Sequence, residues 1–268
     1  MPKLVRNACP ACRKRGEDTK GDNLVRYENP SRAICFACGY KEGEWSGIHS
    51  NQKEVDMPLV LPLKTGIPSK NIPAIVCRVW DVSLEAQRQN GGKIVSTRKV
   101  VFPYYNEENS LVGVKFRDFT REASTGKKTI YYDGSISFFG LQKLKYELTS
   151  LFLWEGETDT LSAATLAPHL NHIGYPGVST LDELLKQYSM LIRRFDRIYI
   201  AADNDEAGRR ALEVASELLP VYKSFRLVYP SGVKDLNEIL VSNDTTRAVS
   251  VFQEMTESAR PLADSRLS

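Results

Sequence analysis

Two kinds of apolar spacing divide this chain. Between residues 93 and 120, apolar and polar positions alternate with the period of strands. Lys99-Val-Val-Phe-Pro-Tyr-Tyr105, a turn at Asn106-Glu-Glu-Asn109 and Leu111-Val-Gly-Val-Lys-Phe-Arg-Asp118 together predict a hairpin. Residues 71–90 predict one or two short helices, and residues 122–137 a Gly/Ser/Lys-rich loop with one strand, Thr129–Tyr132. From residue 150, apolar runs alternate with helical periods. Strands are expected at Leu151–Trp154, His172–Gly174, Arg197–Ala202 and Phe225–Tyr229. Helices are expected up to about Leu166, over Thr180–Arg194 and Glu206–Leu219, and over Asp235–Leu240. Such alternation predicts a mostly parallel sheet covered on both faces.

The flanks are different. Residues 1–42 hold turn residues and two short apolar pairs, Leu24-Val25 and Ala33-Ile34, without helical period, which suits a small β-rich module. Residues 43–70, with Gly43, Gly47, Pro58, Pro62, Gly66 and Pro68, predict a flexible linker. The expected division is therefore a module at 1–42, a linker at 43–70, an α+β subdomain at 71–149, an α/β subdomain at 150–245 and a C-terminal tail at 246–268, frayed at its end.

Hydrophobic residues make up 42% of the 268 and charged residues 26%, the range of globular domains. No apolar run approaches the roughly 20 residues that span a bilayer. Met-Pro-Lys-Leu-Val-Arg-Asn7 lacks the apolar centre of an export signal, so a cytoplasmic protein without membrane contact is expected. The net charge of +3 says little, but residues 1–40 hold eight Lys/Arg against four Asp/Glu. A second basic stretch carries Lys93, Arg98, Lys99, Lys115, Arg117, Arg121, Lys127 and Lys128.

Cys9/Cys12 and Cys35/Cys38 form two C-x2-C pairs separated by 22 residues. Two residues between thiolates let both grip one ion from a single turn, and two such turns make a closed tetrahedral site for structural zinc. A module of this size buries too little to hold itself, so the metal supplies its folding energy. Cys77, in the apolar segment Ile72–Trp80, reads as a buried small side chain. Around the pairs lie Arg13, Lys14, Arg15, Lys20, Arg26 and Arg32, interleaved with Tyr27, Phe36, Tyr40 and Trp45. Cations track phosphates and aromatics stack on bases, a combination suited to single-stranded DNA. Phe36 and Tyr40 suit the packing of a tiny core at least as well.

The second concentration of chemistry is acidic. Glu155-Gly-Glu157-Thr-Asp159 follows one expected strand and Asp203-Asn-Asp205 another. Ligands of open parallel sheets bind beyond the carboxyl ends of strands, and residues i and i+2 of an extended segment share a side. Carboxylates are the hard oxygen ligands that Mg2+ prefers, and such ions neutralise triphosphates and activate a 3′-hydroxyl. Taken singly, Asp205 and Asp159 equally suit helix caps, and Glu157 a solvated loop acid.

Glu155-Gly-Glu-Thr-Asp159, Asp203-Asn-Asp-Glu-Ala-Gly208 and Lys234-Asp-Leu-Asn-Glu238, in that order, resemble a Toprim domain. That is the magnesium-binding fold of bacterial and phage primases, type IA and II topoisomerases and some nucleases. With four cysteines ahead of it, residues 5–245 are similar to the primase portion of phage primase–helicases and, more distantly, to DnaG-type bacterial primases. The resemblance implies a β-rich zinc ribbon and an α/β Toprim domain with a mostly parallel sheet, preceded by an α+β primase N-terminal subdomain. It implies that Glu155 is a general base or metal ligand and that Asp203 and Asp205 bind Mg2+. Glu157, Asp159 and Asp235 become supporting acids. Lys115, Arg117, Arg121 and Lys234 become nucleotide or template contacts, and Arg32 a template-reading residue. Gly134–Gly140 is similar to the loop ahead of the Toprim strand, with the basic residue displaced to Lys143.

The implied activity is a DNA primase that builds short RNA primers on single-stranded DNA from ribonucleoside triphosphates. Ser124-Thr-Gly-Lys-Lys-Thr129 departs from a phosphate loop, so a separate replicative helicase is the expected partner. The alternatives are a Toprim-type metal-dependent DNA nuclease and a non-catalytic single-strand-binding or helicase-loading module.

Overall fold

The computed structural model describes residues 5–14, 16, 20–21, 24–27, 32–35, 41–43, 55–89 and 91–262. The chain divides into two units, residues 1–51 and 52–268. In the first, strands β1 (Val5–Asn7), β2 (Leu24–Tyr27), β3 (Arg32–Cys35) and β4 (Lys41–Gly43) form an antiparallel sheet in that order. Helix α1 (Pro10–Lys14) follows β1. Among the described residues its core is Cys9, Cys12, Leu24 and Ala33. Arg26 and Glu42 pair over Ala33, which lies between them in the register.

The second unit opens with an antiparallel sheet, β5 (Val60–Pro62), β6 (Ser83–Arg88), β7 (Ile94–Tyr105), β8 (Leu111–Arg117) and β9 (Ile130–Gly134), in chain order. Helix α2 (Ala74–Val79) precedes β6, and α3 (Phe119–Thr125) lies between β8 and β9. The expected hairpin is β7–β8. Residues 83–88, read as helix, are instead a strand whose Ser83 and Ala86 are buried. The loop expected at 122–137 begins within α3, which Asp118 caps by accepting from the Arg121 N–H. The linker reading also needs correction. Residues 44–54 lie outside the described set, but β5 pairs with β6 and the Val55 N–H donates to the Leu111 carbonyl at 2.9 Å.

The second sheet is built from β10 (Ser150–Glu155), β11 (Asn171–Tyr175), β12 (Arg197–Ile200), β13 (Ser224–Arg226) and β14 (Arg260–Pro261). Its spatial order is β11-β10-β12-β13-β14, parallel except for β14. Helices α4 (Gly156–Leu166), α5 (Val178–Gln187), α6 (Ser189–Ile192), α7 (Glu206–Leu218), α8 (Leu236–Ser242) and α9 (Thr245–Glu257) accompany it. The helix expected over Thr180–Arg194 is broken at Tyr188, whose buried hydroxyl pairs with Ser137 Oγ. The segment read as a tail holds α9, with Ala248, Val251, Phe252 and Met255 buried in the main core.

Strand β10 explains the continuous apolar run. Leu151 and Leu153 enter the core formed with α5 and α7, while Phe152 and Trp154 enter the core shared with α4, α9 and the antiparallel sheet. A strand buried on both faces has no polar alternation to display. Both edges of this sheet are occupied: β14 pairs with β13, and Phe139 exchanges two backbone hydrogen bonds with Gly174 of β11, at 2.8 and 2.9 Å. Among the described residues no helix is long and apolar enough to cross a membrane.

Candidate active site

Strands β10 and β12 are parallel neighbours, so their carboxyl ends bring two acidic segments together. Glu155 ends β10, and its Oε2 accepts the Asp203 N–H at 3.1 Å. Asp205 caps α7, accepting the Gly208 N–H at 3.0 Å. Gly208 is required by close approach, since a Cβ there would sit 1.8 Å from the Asp203 carbonyl oxygen. Lys234 Nζ lies 3.6 Å from Asp203 Oδ2 and 3.5 Å from Asp205 Oδ2. Its carbonyl accepts the Asn204 N–H at 3.0 Å, tying the 234–238 segment to the acidic loop.

Burial governs the electrostatics of Asp203 and Glu155. Burial, followed by the charges of Glu155 and Asp235, pushes the Asp203 carboxyl up to about 6. Burial also raises Glu155, against the opposing hydrogen bond from Asp203. Asp205, more exposed, is held below its ordinary value by the Gly208 N–H and by Lys234. Three hard-oxygen carboxylates of this kind suit Mg2+. Among the described residues no three His, Cys, Asp or Glu side chains are arranged to enclose an ion as they stand, and the Lys234 ammonium bridges Asp203 and Asp205.

The other acids are internal. Glu157 is not solvated; it is buried, accepts from the Tyr104 hydroxyl, and pairs with Lys115 Nζ at 2.7 Å. Asp159 is buried within α4 and accepts the Asn237 N–H at 2.9 Å, so it caps no helix of its own. Its carboxyl is pushed well above the usual range by burial and by Asp235. Asp235 caps α8 through the Glu238 N–H at 2.8 Å. Lys115 and Arg117 face the same cavity, but each has an acid of its own: Arg117 grips Glu122 through Nε and Nη2 at 2.8 and 2.9 Å. Arg121 is exposed on α3 and does not line the cavity.

That cavity holds about 210 Å³ and is walled by Glu155, Glu157, Asp159, Asp203 and Asp235 against Lys70, Lys115, Arg117, Lys128 and Lys234. Lys70 and Lys128 were not singled out by sequence reasoning. Lys128 stood in a basic run, whereas Lys70 lay in a segment with no readable period. In the first unit, Cys9 and Cys12 are buried and the Cys12 N–H points at Cys9 Sγ, 3.5 Å away. Cys35 ends β3, but its side chain and that of Arg32, together with all of Cys38, lie outside the described residues.

Residues 152–240 match the Toprim-like family. An uncharacterised Mycoplasma pneumoniae protein, the MG010 homologue, is 30% identical over 148 residues, an alignment covering 51% of this chain and 65% of that protein's length. The primase fragment of the bacteriophage T7 primase-helicase superposes with a TM-score of 0.60 at 20% identity, covering 93% of this chain and 99% of the fragment. The catalytic domain of a DnaG primase, solved bound to single-stranded DNA, gives 0.56 at 18% identity, covering 75% and 72%. The E. coli primase catalytic core gives 0.55 at 16% identity, covering 75% and 74%. The chain thus carries a Toprim-like domain within the fold of the phage and bacterial primase cores.

Proposed function

We propose that the protein is a DNA primase, condensing ribonucleoside triphosphates into short RNA primers on a single-stranded DNA template. The observation that carries this reading is the hydrogen bond from Asp203 N–H to Glu155, which holds acids from two neighbouring strand ends at one rim. Glu155, Asp203 and Asp205 would hold Mg2+. Bound there, the metal would supply charge neutralisation of the triphosphate and activation of a 3′-hydroxyl. In the alternative role that the resemblance implies, Glu155 would be the general base that takes the hydroxyl proton. Lys234 then exchanges its bond to Asp203 and Asp205 for contact with phosphate oxygens. Asp159 ties α8 to α4, and Asp235 caps α8 just after Lys234.

The first unit is read as the template-gripping zinc module. Its four-residue core among the described residues is too small to hold a fold unaided, and two of those four are Cys9 and Cys12. Cys35 and Cys38 would complete the thiolate set, and Arg32 would face the template. A replicative helicase is the proposed partner.

The test is incubation with single-stranded template, labelled ribonucleotides and Mg2+. Wild type is expected to yield short templated RNA; Glu155→Gln and Asp203→Asn are expected to yield none while retaining native melting temperatures. Robust synthesis by either variant removes the site assignment, and template cleavage without nucleotides would replace the polymerase with a nuclease.

A further inference from the structure

We propose that Lys70 is a triphosphate-binding residue, forming with Lys128 an anion subsite on the wall of the acidic cavity. The inference deepens the polymerase reading and rests on it. Most cations of the cavity already face an acid. Lys115 faces Glu157, Arg117 faces Glu122, and Lys234 bridges Asp203 and Asp205. Among the described residues Lys70 and Lys128 form no ion pair, yet both line the cavity. Lys70 is half-buried, and its nearest ring neighbour, Phe119, lies 5.9 Å from Nζ. Burial, and then the charge of Arg117, lower its proton affinity, against the opposing charges of Asp235, Glu122 and Asp159.

The backbone under Lys70 is anchored to the acidic rim. Lys70 ends a 3-10 turn, Pro68–Lys70, closed by Asn71 in the left-handed region (φ 53°). Ile67 and Ile72 bridge each other beneath the turn and are buried. The Lys70 carbonyl accepts from Asn237 Nδ2 at 2.8 Å, and Asn71 Nδ2 donates to the Leu240 carbonyl at 3.1 Å. Asn237 in turn donates its N–H to Asp159 and its amide to Ser162 Oγ at 2.9 Å. One asparagine thus joins the Lys70 turn, α8 and α4, the helix that begins directly after Glu155. A side chain of long reach on so fixed a base is suited to a polyanion lying beside the carboxylates, where a nucleoside triphosphate would place its phosphates.

Isothermal titration of the full chain with inorganic tripolyphosphate, with and without Mg2+, tests the subsite. Wild type binds; Lys70→Met weakens the affinity about tenfold or more, the size of one lost charge-assisted hydrogen bond. Lys70→Arg restores most of the binding, and Lys64→Met, the same charge change on an exposed neighbour, alters nothing. In primer synthesis Lys70→Met raises KM for ribonucleotides more than it lowers kcat. Absence of binding by wild type, or equal binding by Lys70→Met, overturns the proposal. If wild type makes no primers but binds tripolyphosphate through Lys70, the polymerase reading falls and the subsite stands. If primers form with KM and affinity indifferent to Lys70, the reverse holds.

Discussion

Replacing Lys115 with Met separates a structural role for this lysine from the nucleotide contact that the family resemblance implies. The Lys115 and Glu157 side chains are 4% and 1% exposed, with Nζ and Oε2 2.7 Å apart. Met keeps the stem beside Tyr132, whose ring centre lies 5.4 Å from Nζ, and removes only the charge. Glu157 is then buried with the Tyr104 hydroxyl alone. Removing one partner of a buried pair costs about 3–5 kcal/mol. At about 2–4 °C per kcal/mol for a unit of this size, the melting temperature falls by about 6–20 °C. The double variant Lys115→Met/Glu157→Gln recovers most of that loss, because the amide oxygen still accepts from Tyr104 and no charge is stranded. Thermal and urea unfolding of wild type, both single variants and the double variant complete the cycle. Glu157 sits in the first turn of α4, two residues after Glu155, so primer synthesis falls in Lys115→Met and returns in the double variant. A Lys115→Met variant that unfolds within about 1 kcal/mol of wild type, or a double variant no more stable than the single, refutes a structural role for the pair. A stable but inactive double variant would show that Lys115 touches substrate after all.

Three further outcomes follow from other sites. Gly208→Ala drives a methyl to 1.8 Å from the Asp203 carbonyl, costing about 3 kcal/mol and most primer synthesis, whereas Gly177→Ala, with open space around it, is neutral in melting and activity assays. His172 is held neutral at about 4 by burial, with Trp154 Nε1 donating to Nδ1 and Nε2 facing the Ala167 carbonyl. A lowered folded value stabilises above the ordinary 6.5 and is lost as pH falls towards 4, so acid unfolding weakens the protein by about 3 kcal/mol across that window and His172→Phe flattens the dependence. Zinc chelation, or Cys9→Ser, abolishes amide-exchange protection in β1 to β4 and leaves that of residues 55–262 intact; protection that survives both treatments removes the zinc module.

The parallel sheet was legible because Leu151–Trp154 and Ile198–Ile200 are apolar on both faces, and the acids that follow them had only one end of the sheet to occupy. Strand β6 was not legible: Glu85, Ala86, Gln87 and Arg88 favour helix when read alone, and only pairing with β5 and β7 overrides that preference. Helix α9 was legible but missed, since Asp244 as cap and Ala248, Val251, Phe252 and Met255 at helical spacing were all present. The Lys115–Glu157 pair joins positions 42 residues apart, and no local pattern announces it. The same holds for Lys70, placed by a hydrogen bond to a residue 167 positions away.

The parallel sheet borrows both of its margins from outside the stretch 150–245: Phe139 on one side and Arg260–Pro261 on the other. Pro261 lacks an N–H, so the outermost strand offers little for another chain to zip onto. A fragment excised at those two boundaries would keep every carboxylate of the acidic rim and still bare two rows of unsatisfied amides. Self-association of the shortened protein, rather than loss of chemistry, would then be what an activity assay on it reports.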